Sequence, residues 1–227
     1  VEAFVLRYSI IKRYGQTSLF IKLEFRFRLL KNALEEKSNM KVVISRYQEN
    51  IDWANGVKNC IIYNKGPTIP NSIHPIISLP NVGREGHTYL HHIIQNYDQL
   101  DDHTCFLQGY PFDHSPDLEK RLDIFDRSLP FYVVSNRIYA INLCYDPTDF
   151  SIHPLLIKTY ERVFGVAKTS HEFTFGAGAQ FIVSRDAIRS RPKSFYENLL
   201  HIMEYSVHPP EGFALERFWT MIFTHGE

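Results

Sequence analysis

Cysteine is scarce in this chain: Cys60, Cys105 and Cys144 are its three thiols, and no Cys-x-x-Cys pair occurs. An odd count with that spacing speaks against a disulfide framework and a zinc cluster, so all three are expected to be buried free thiols inside apolar runs. Net charge is missing too, since 25 Lys and Arg balance 25 Asp and Glu. Without a global field to recruit a polyanion, nucleic acid is not expected as the ligand. No apolar run approaches the ~18 residues of a membrane span, and the first residues hold no signal-peptide core. The expectation is a soluble, cytoplasmic protein. Internal repeats and low-complexity linkers are lacking as well, and 227 residues leave room for one sizeable core.

What charge there is lies unevenly. Residues 1–40 carry eight Lys or Arg against four Asp or Glu, and Leu19, Phe20, Leu23, Phe27 and Leu30 recur at helical spacing. That predicts a basic amphipathic N-terminal segment, either a peripheral contact to an anionic membrane or partner or a helix packed on the domain. Residues 41–227 then read as a single α/β domain.

The β-branched run VVIS after Lys41 and the apolar NCIIYNKG, ending at Gly66, have the composition of buried strands. Glu49 to Gly56 has the length of a crossover helix, so the pair is expected to be parallel. Residues 67–80 hold four of the twelve prolines and read as an irregular loop. Gly83 to Leu100 follows as a long helix, with Tyr89, Leu90, Ile93, Ile94 and Tyr97 on one side. A third strand, HTCFLQG, runs into the loop YPFDHSPD, and further strands are expected at FYVVS, around Ile138 to Leu143, and at AQFIVS. Helices are expected at Leu155 to Phe164, Asp186 to Arg189, Ser194 to Tyr205 and Ala214 to Phe223.

In an open parallel sheet, ligands bind outside the carboxyl ends of the strands. Three segments, SRYQE, YNKG and QGYPFDHS, become polar where their apolar runs stop. Arg46 and Lys65 place cations at this edge, and Arg suits a bidentate grip on phosphate or carboxylate. Tyr47 or Tyr63 could stack on a base; the alternative is two rim tyrosines and an Arg46 paired with Glu49 or Asp52. In PNVGREGHTYLHHI a glycine turn precedes a helix, whose free N–H groups favour an anion, although the pattern is neither GxGxxG nor a Walker sequence. Arg84 and Glu85 in its first turn are candidates for sugar or phosphate contacts, or for a helix-start ion pair.

His87 and His91 are one turn apart, but HTYLH lacks the glutamate of a zincin helix. Asp113 and His114 can hold a divalent cation against a diphosphate, or one of them can act as acid or base; a capping Asp in a Pro-rich turn is the other reading. Gly176 and Gly178 before Gln180 allow a ligand close to the backbone. Glu216, on a helix with Arg217 and Trp219, is either a base or one half of a structural Glu–Arg pair.

Taken together, VVISRYQENIDWA, IYNKG, LPNVGREGHTYLHHIIQNYDQL, FLQGYPFDH, GAGAQFIVSRDAI, RPKSFYENLL and ERFW resemble an uncharacterised family of glycosyltransferase-like proteins found in fungi, algae and large viruses. The likeness covers roughly Lys41 to Phe223. It implies a Rossmann-like A-type glycosyltransferase fold with a mostly parallel central sheet flanked by helices. It also implies transfer of a sugar from a nucleotide-sugar donor to a glycan or other hydroxyl acceptor. On that implication Arg46, Tyr47, Asn64 and Lys65 bind the nucleotide, and Arg84 and Glu85 the donor sugar or phosphate. Gln108 and Gln180 contact substrate, Asp113 and His114 hold manganese or magnesium, and Asp113 and Glu216 serve catalysis. One departure stands out: Gln108 and Gly109 occupy the strand end where such transferases carry Asp-x-Asp. A non-catalytic nucleotide- or glycan-binding module is the alternative, and a metal hydrolase built on His87, His91 and His114 a third.

Overall fold

The computed structural model describes residues 40–149 and 151–225; the amphipathic segment expected before Met40 lies outside them. Six strands form one sheet in the order β3-β2-β1-β4-β8-β5. They are β1 (Met40–Arg46), β2 (Cys60–Asn64), β3 (Ile76–Ser78), β4 (His103–Gln108), β5 (Phe131–Val133) and β8 (Phe181–Ser184). β3, β2, β1 and β4 run parallel, with Val43 opposite both Ile61 and Phe106. β8 is antiparallel to β4 and to β5. The sheet is therefore mostly parallel, as expected. β6 (Ile138–Asn142) and β7 (Glu172–Gly176) form a separate antiparallel ribbon.

Alternation along the strands sorts side chains into two cores. Val43, Tyr63, Phe106, Phe181 and Val183 face one layer, which contains α1 (Arg84–Asn96), α3 (His153–Phe164), α4 (Arg185–Arg189), α5 (Lys193–His201) and α6 (Pro210–Thr224). Val42, Ile44, Ile62, Cys105, Leu107 and Ile182 face the other, closed by Trp53, Val57 and α2 (Leu118–Asp123). Helices thus flank both faces. No helix among the described residues is long and apolar enough to cross a membrane.

Four details differ from the sequence reading. The connection between β1 and β2 carries only a 3₁₀ turn, Asp52–Gly56, because its buried Trp53 is tied across the sheet by an Nε1 hydrogen bond to the Gly109 carbonyl, 2.8 Å. The proline-rich loop contains β3, whose pairing uses backbone groups of Ile76 to Ser78. The helix α2 and the strand β7 were not expected at all. Cys144 is exposed, in a turn where its amide donates to the Asn142 side chain, while Cys60 and Cys105 are buried.

Candidate functional site

A cleft of ≈ 440 Å³ opens at the carboxyl ends of β1, β2 and β4, within the size range of small-molecule sites. Arg46 and Tyr47 enter it from the end of β1, Lys65 follows β2, and Gln108 and Asp113 follow β4. Arg84 and Glu85 reach it from the first turn of α1. Seven of the residues singled out in the sequence therefore share one cavity. Ser45, Glu49, Asn81, Tyr110 and His208 complete its polar lining. The sequence offered a signal for Glu49 and Asn81, which flank the motifs; His208, from the loop after α5, carried none.

The loop after β1 is built by hydrogen bonds. Arg46 donates from Nε to the Glu49 carbonyl at 3.0 Å, and from Nη1 to Asn64 Oδ1 and the Pro67 carbonyl, each at 2.7 Å. The Glu49 carboxylate accepts the amides of Tyr47 and Gln48 at 2.7 and 3.1 Å. Arg46 thus ties the first loop to the second, and Asn64 is a buried strut rather than part of the cleft wall. The two loops touch so closely that a Cβ on Gly66 would sit 1.7 Å from the Tyr47 carbonyl oxygen. Tyr47 and Tyr110 remain 44% and 43% exposed, so their rings are open to a ligand.

Lys65 is only 9% exposed. Its ammonium donates to the Val82 carbonyl at 2.6 Å and to the Arg84 carbonyl. Burial lowers its pKa to about 8, with Glu85 acting in the opposite direction. The two carbonyls belong to the turn that starts α1, where Gly83 and Arg84 are both left-handed, at φ 63° and 52°. A Cβ at Gly83 would lie 2.6 Å from the His87 Cβ, so glycine is required there on contact as well as on φ. Among the described residues no side chain caps this helix. The Arg84 guanidinium lies 4.3 Å from the Phe213 ring centroid and 3.7 Å from the Glu85 carboxylate.

Beneath the cleft sits a second layer. Glu216 accepts the Gly178 amide at 2.6 Å. Burial pushes its carboxyl up, and the negative Glu85 pushes it further. Gly178 has φ 86°, and a Cβ there would fall 2.4 Å from the His114 ring. The close approaches at the two glycines are thus to protein, since Gly176 abuts Val133 in the same way. Burial lowers the pKa of His114, and its Nδ1 has no partner among the described residues. His114 does not line the cleft, so Asp113 alone of that pair faces it. Gln180 is 1% exposed and donates to the Pro111 carbonyl at 3.0 Å, which holds the loop carrying Asp113. Among the described residues no three His, Cys, Asp or Glu side chains come together as a metal site.

The three helical histidines pack over β2. Burial drives His87 down to about 4 and His92 down to about 3. His92 Nδ1 lies 3.0 Å from the Tyr63 hydroxyl, and His87 stacks on His91 at 6.3 Å.

Set against known proteins, residues 42–227 match the family described as protein of unknown function, DUF3431. The chain belongs to that family. No curated protein and no solved structure matches it significantly.

Proposed function

We propose that this protein is a glycosyltransferase that moves a sugar from a nucleotide-sugar donor to a glycan or other hydroxyl acceptor. The observation carrying the reading is the cleft itself. Its place outside the ends of three parallel strands is where open α/β sheets take their ligands. Its cations, Arg46, Lys65 and Arg84, suit a diphosphate, and its exposed tyrosines suit a base or a sugar ring. In this scheme Lys65, Arg84 and the uncapped amides of α1 stabilise the negative charge that develops on the departing diphosphate. Tyr47 stacks on the base, Gln108 and Glu85 bind sugar hydroxyls, and a carboxylate takes the acceptor proton.

The raised pKa of Glu216 suits that proton acceptor chemically. Glu216 does not line the cleft, whereas Glu85, whose charge raises it, does. Manganese or magnesium would find on the protein the Asp113 carboxylate, and its chemistry would be neutralisation of the diphosphate. His114 does not line the cleft, so Asp113 alone of that pair could serve there, as the cation's ligand or as the carboxylate that takes the acceptor proton.

One observation favours a binding module instead: β4 ends in Gln108 and Gly109, not in carboxylates, and a Cβ on Gly109 would meet the Glu49 carboxylate at 2.6 Å. A thermal-shift screen of nucleotides and nucleotide sugars, with and without manganese, separates the readings. A ligand at a hundred times its Kd adds about 2.7 kcal/mol. Transfer predicts a shift for one donor class and release of its nucleotide in a coupled assay, abolished by Asp113→Ala. A shift without turnover across the donor panel supports the module, and no shift with any donor removes the transferase reading.

A further inference from the structure

The end of α6 remote from the cleft borders a second concavity that the proposed transfer does not use. Gly212, early in α6, packs beside Arg84; Met221, nine residues later and so about 14 Å along the axis, helps to form the floor of this pocket together with Tyr160. Four basic side chains surround it, Lys168, His171, Arg191 and His225, and among the described residues no acidic side chain lines it. Among the described residues none of the four makes an ion pair.

Three of these side chains are held in place. The Arg191 guanidinium lies 5.6 Å from the Phe164 ring centroid and 4.6 Å from that of Phe195, and its Nε donates to the Ile222 carbonyl at 2.8 Å. Lys168 sits 5.7 Å from the Tyr160 ring centroid, and His225 Nε2 lies 2.8 Å from the Ser190 hydroxyl. Helix C-termini attract cations, and the ends of α3 and α6 are nearby. The Arg191 Nε bond to Ile222 satisfies that attraction for one donor and leaves both Nη groups available. Burial, then Lys168, lowers the pKa of His171, so the cluster works against its own charge. Arg191 and His171 are half-buried, Lys168 and His225 stand exposed at the rim, and an anion bound among them would relieve the repulsion between like charges.

We propose that this pocket binds the phosphate group of a small soluble ligand, inorganic phosphate or a phosphomonoester, with Arg191 and Lys168 as its principal ligands and His171 and His225 completing the ring. The volume, ≈ 120 Å³, admits one tetrahedral oxyanion, with any ester group left outside the pocket. Donors converging from several directions suit phosphate better than a planar carboxylate, and the fork of Arg191 supplies a bidentate grip.

The test is an NMR titration of the 227-residue chain with inorganic phosphate, reading the His171 and His225 ring resonances, which report on this pocket and not on the cleft. Saturable shifts of both are expected. Lys168→Gln, at an exposed rim position, is expected to weaken binding by about tenfold with an unchanged melting curve, and Arg191→Lys to weaken it comparably by losing the fork. No shift up to about 10 mM phosphate, ten times a millimolar Kd, overturns the proposal. So does an affinity unaltered by Lys168→Gln, or sedimentation with phosphatidic-acid vesicles without any response to free phosphate. Because the readout is direct binding, it stands or falls independently of sugar transfer.

Discussion

Arg217 is the perturbation most tightly bounded by the structure. It is 6% exposed and Asp146 is fully buried. Arg217 donates from Nε to the Asp146 carboxylate at 2.5 Å, from Nη1 to the Phe213 carbonyl at 2.9 Å, and from Nη2 to the Thr148 hydroxyl at 3.2 Å. Its guanidinium also lies 4.9 Å from the Phe175 ring centroid. Burial alone would raise the Asp146 carboxyl, but hydrogen bonds from Thr148 and Arg217 outweigh it and hold the group below the usual range. This pair clasps the segment after β6 onto α6, next to Glu216. Removing one partner of a buried pair leaves an uncompensated charge and costs about 3 to 5 kcal/mol. For a domain of this size that is a fall of about 6 to 20 °C in Tm. Arg217→Met should show it in urea melts at neutral pH. Asp146→Asn combined with Arg217→Met should lose at least about 2 kcal/mol less than the sum of the two single losses, since an uncharged pair needs no compensation. A single-variant loss below about 1 kcal/mol at neutral pH, or additive losses in the cycle, would refute the reasoning.

Acid sensitivity follows from the helical histidines. His87 and His92 are held neutral in the folded protein, at about 4 and 3, whereas the unfolded chain binds their protons at about 6.5. Stability is therefore full above about pH 6.5 and drains away as pH falls towards those lower values; a flat urea midpoint between about pH 6.5 and pH 4 contradicts this, and His92→Gln should flatten part of the slope. Lys65 loses its proton near pH 8, so affinity for an anionic ligand in the cleft should decline as pH rises through that value. Titrations with Lys65→Arg should lack that inflection. Gly66→Ala forces a Cβ into the Tyr47 carbonyl and is expected to cost more than about 2 kcal/mol in urea melts; a loss within ~0.5 kcal/mol would show that the two loops can separate freely.

The sheet centre was legible because VVIS, CIIYN and TCFLQ are apolar on both faces, as strands covered by helices on both sides must be. The convergence of Arg46, Lys65 and Asp113 followed from strand polarity, and Arg84 was singled out by the glycine turn before its helix. Local pattern failed where tertiary contact decides the structure. Ile76 to Ser78 becomes a strand by backbone pairing with β2, which no side-chain period announces. The six-residue α2 is too short to display one. Glycines 176 and 178 did announce close approach, but whether Val133, His114 or a ligand would be the neighbour depends on the fold. The same holds for Gln180, whose amide braces the Asp113 loop from behind.

Arg84 sits in a left-handed conformation that costs an ordinary side chain about 1 kcal/mol or more and costs glycine almost nothing. A chain selected only for heat resistance would drift to glycine at this site and give up the cation over Phe213. Directed evolution under thermal selection alone and under selection for ligand capture should therefore diverge here first. Residue 84 is a point where durability and use of the cleft are traded against each other.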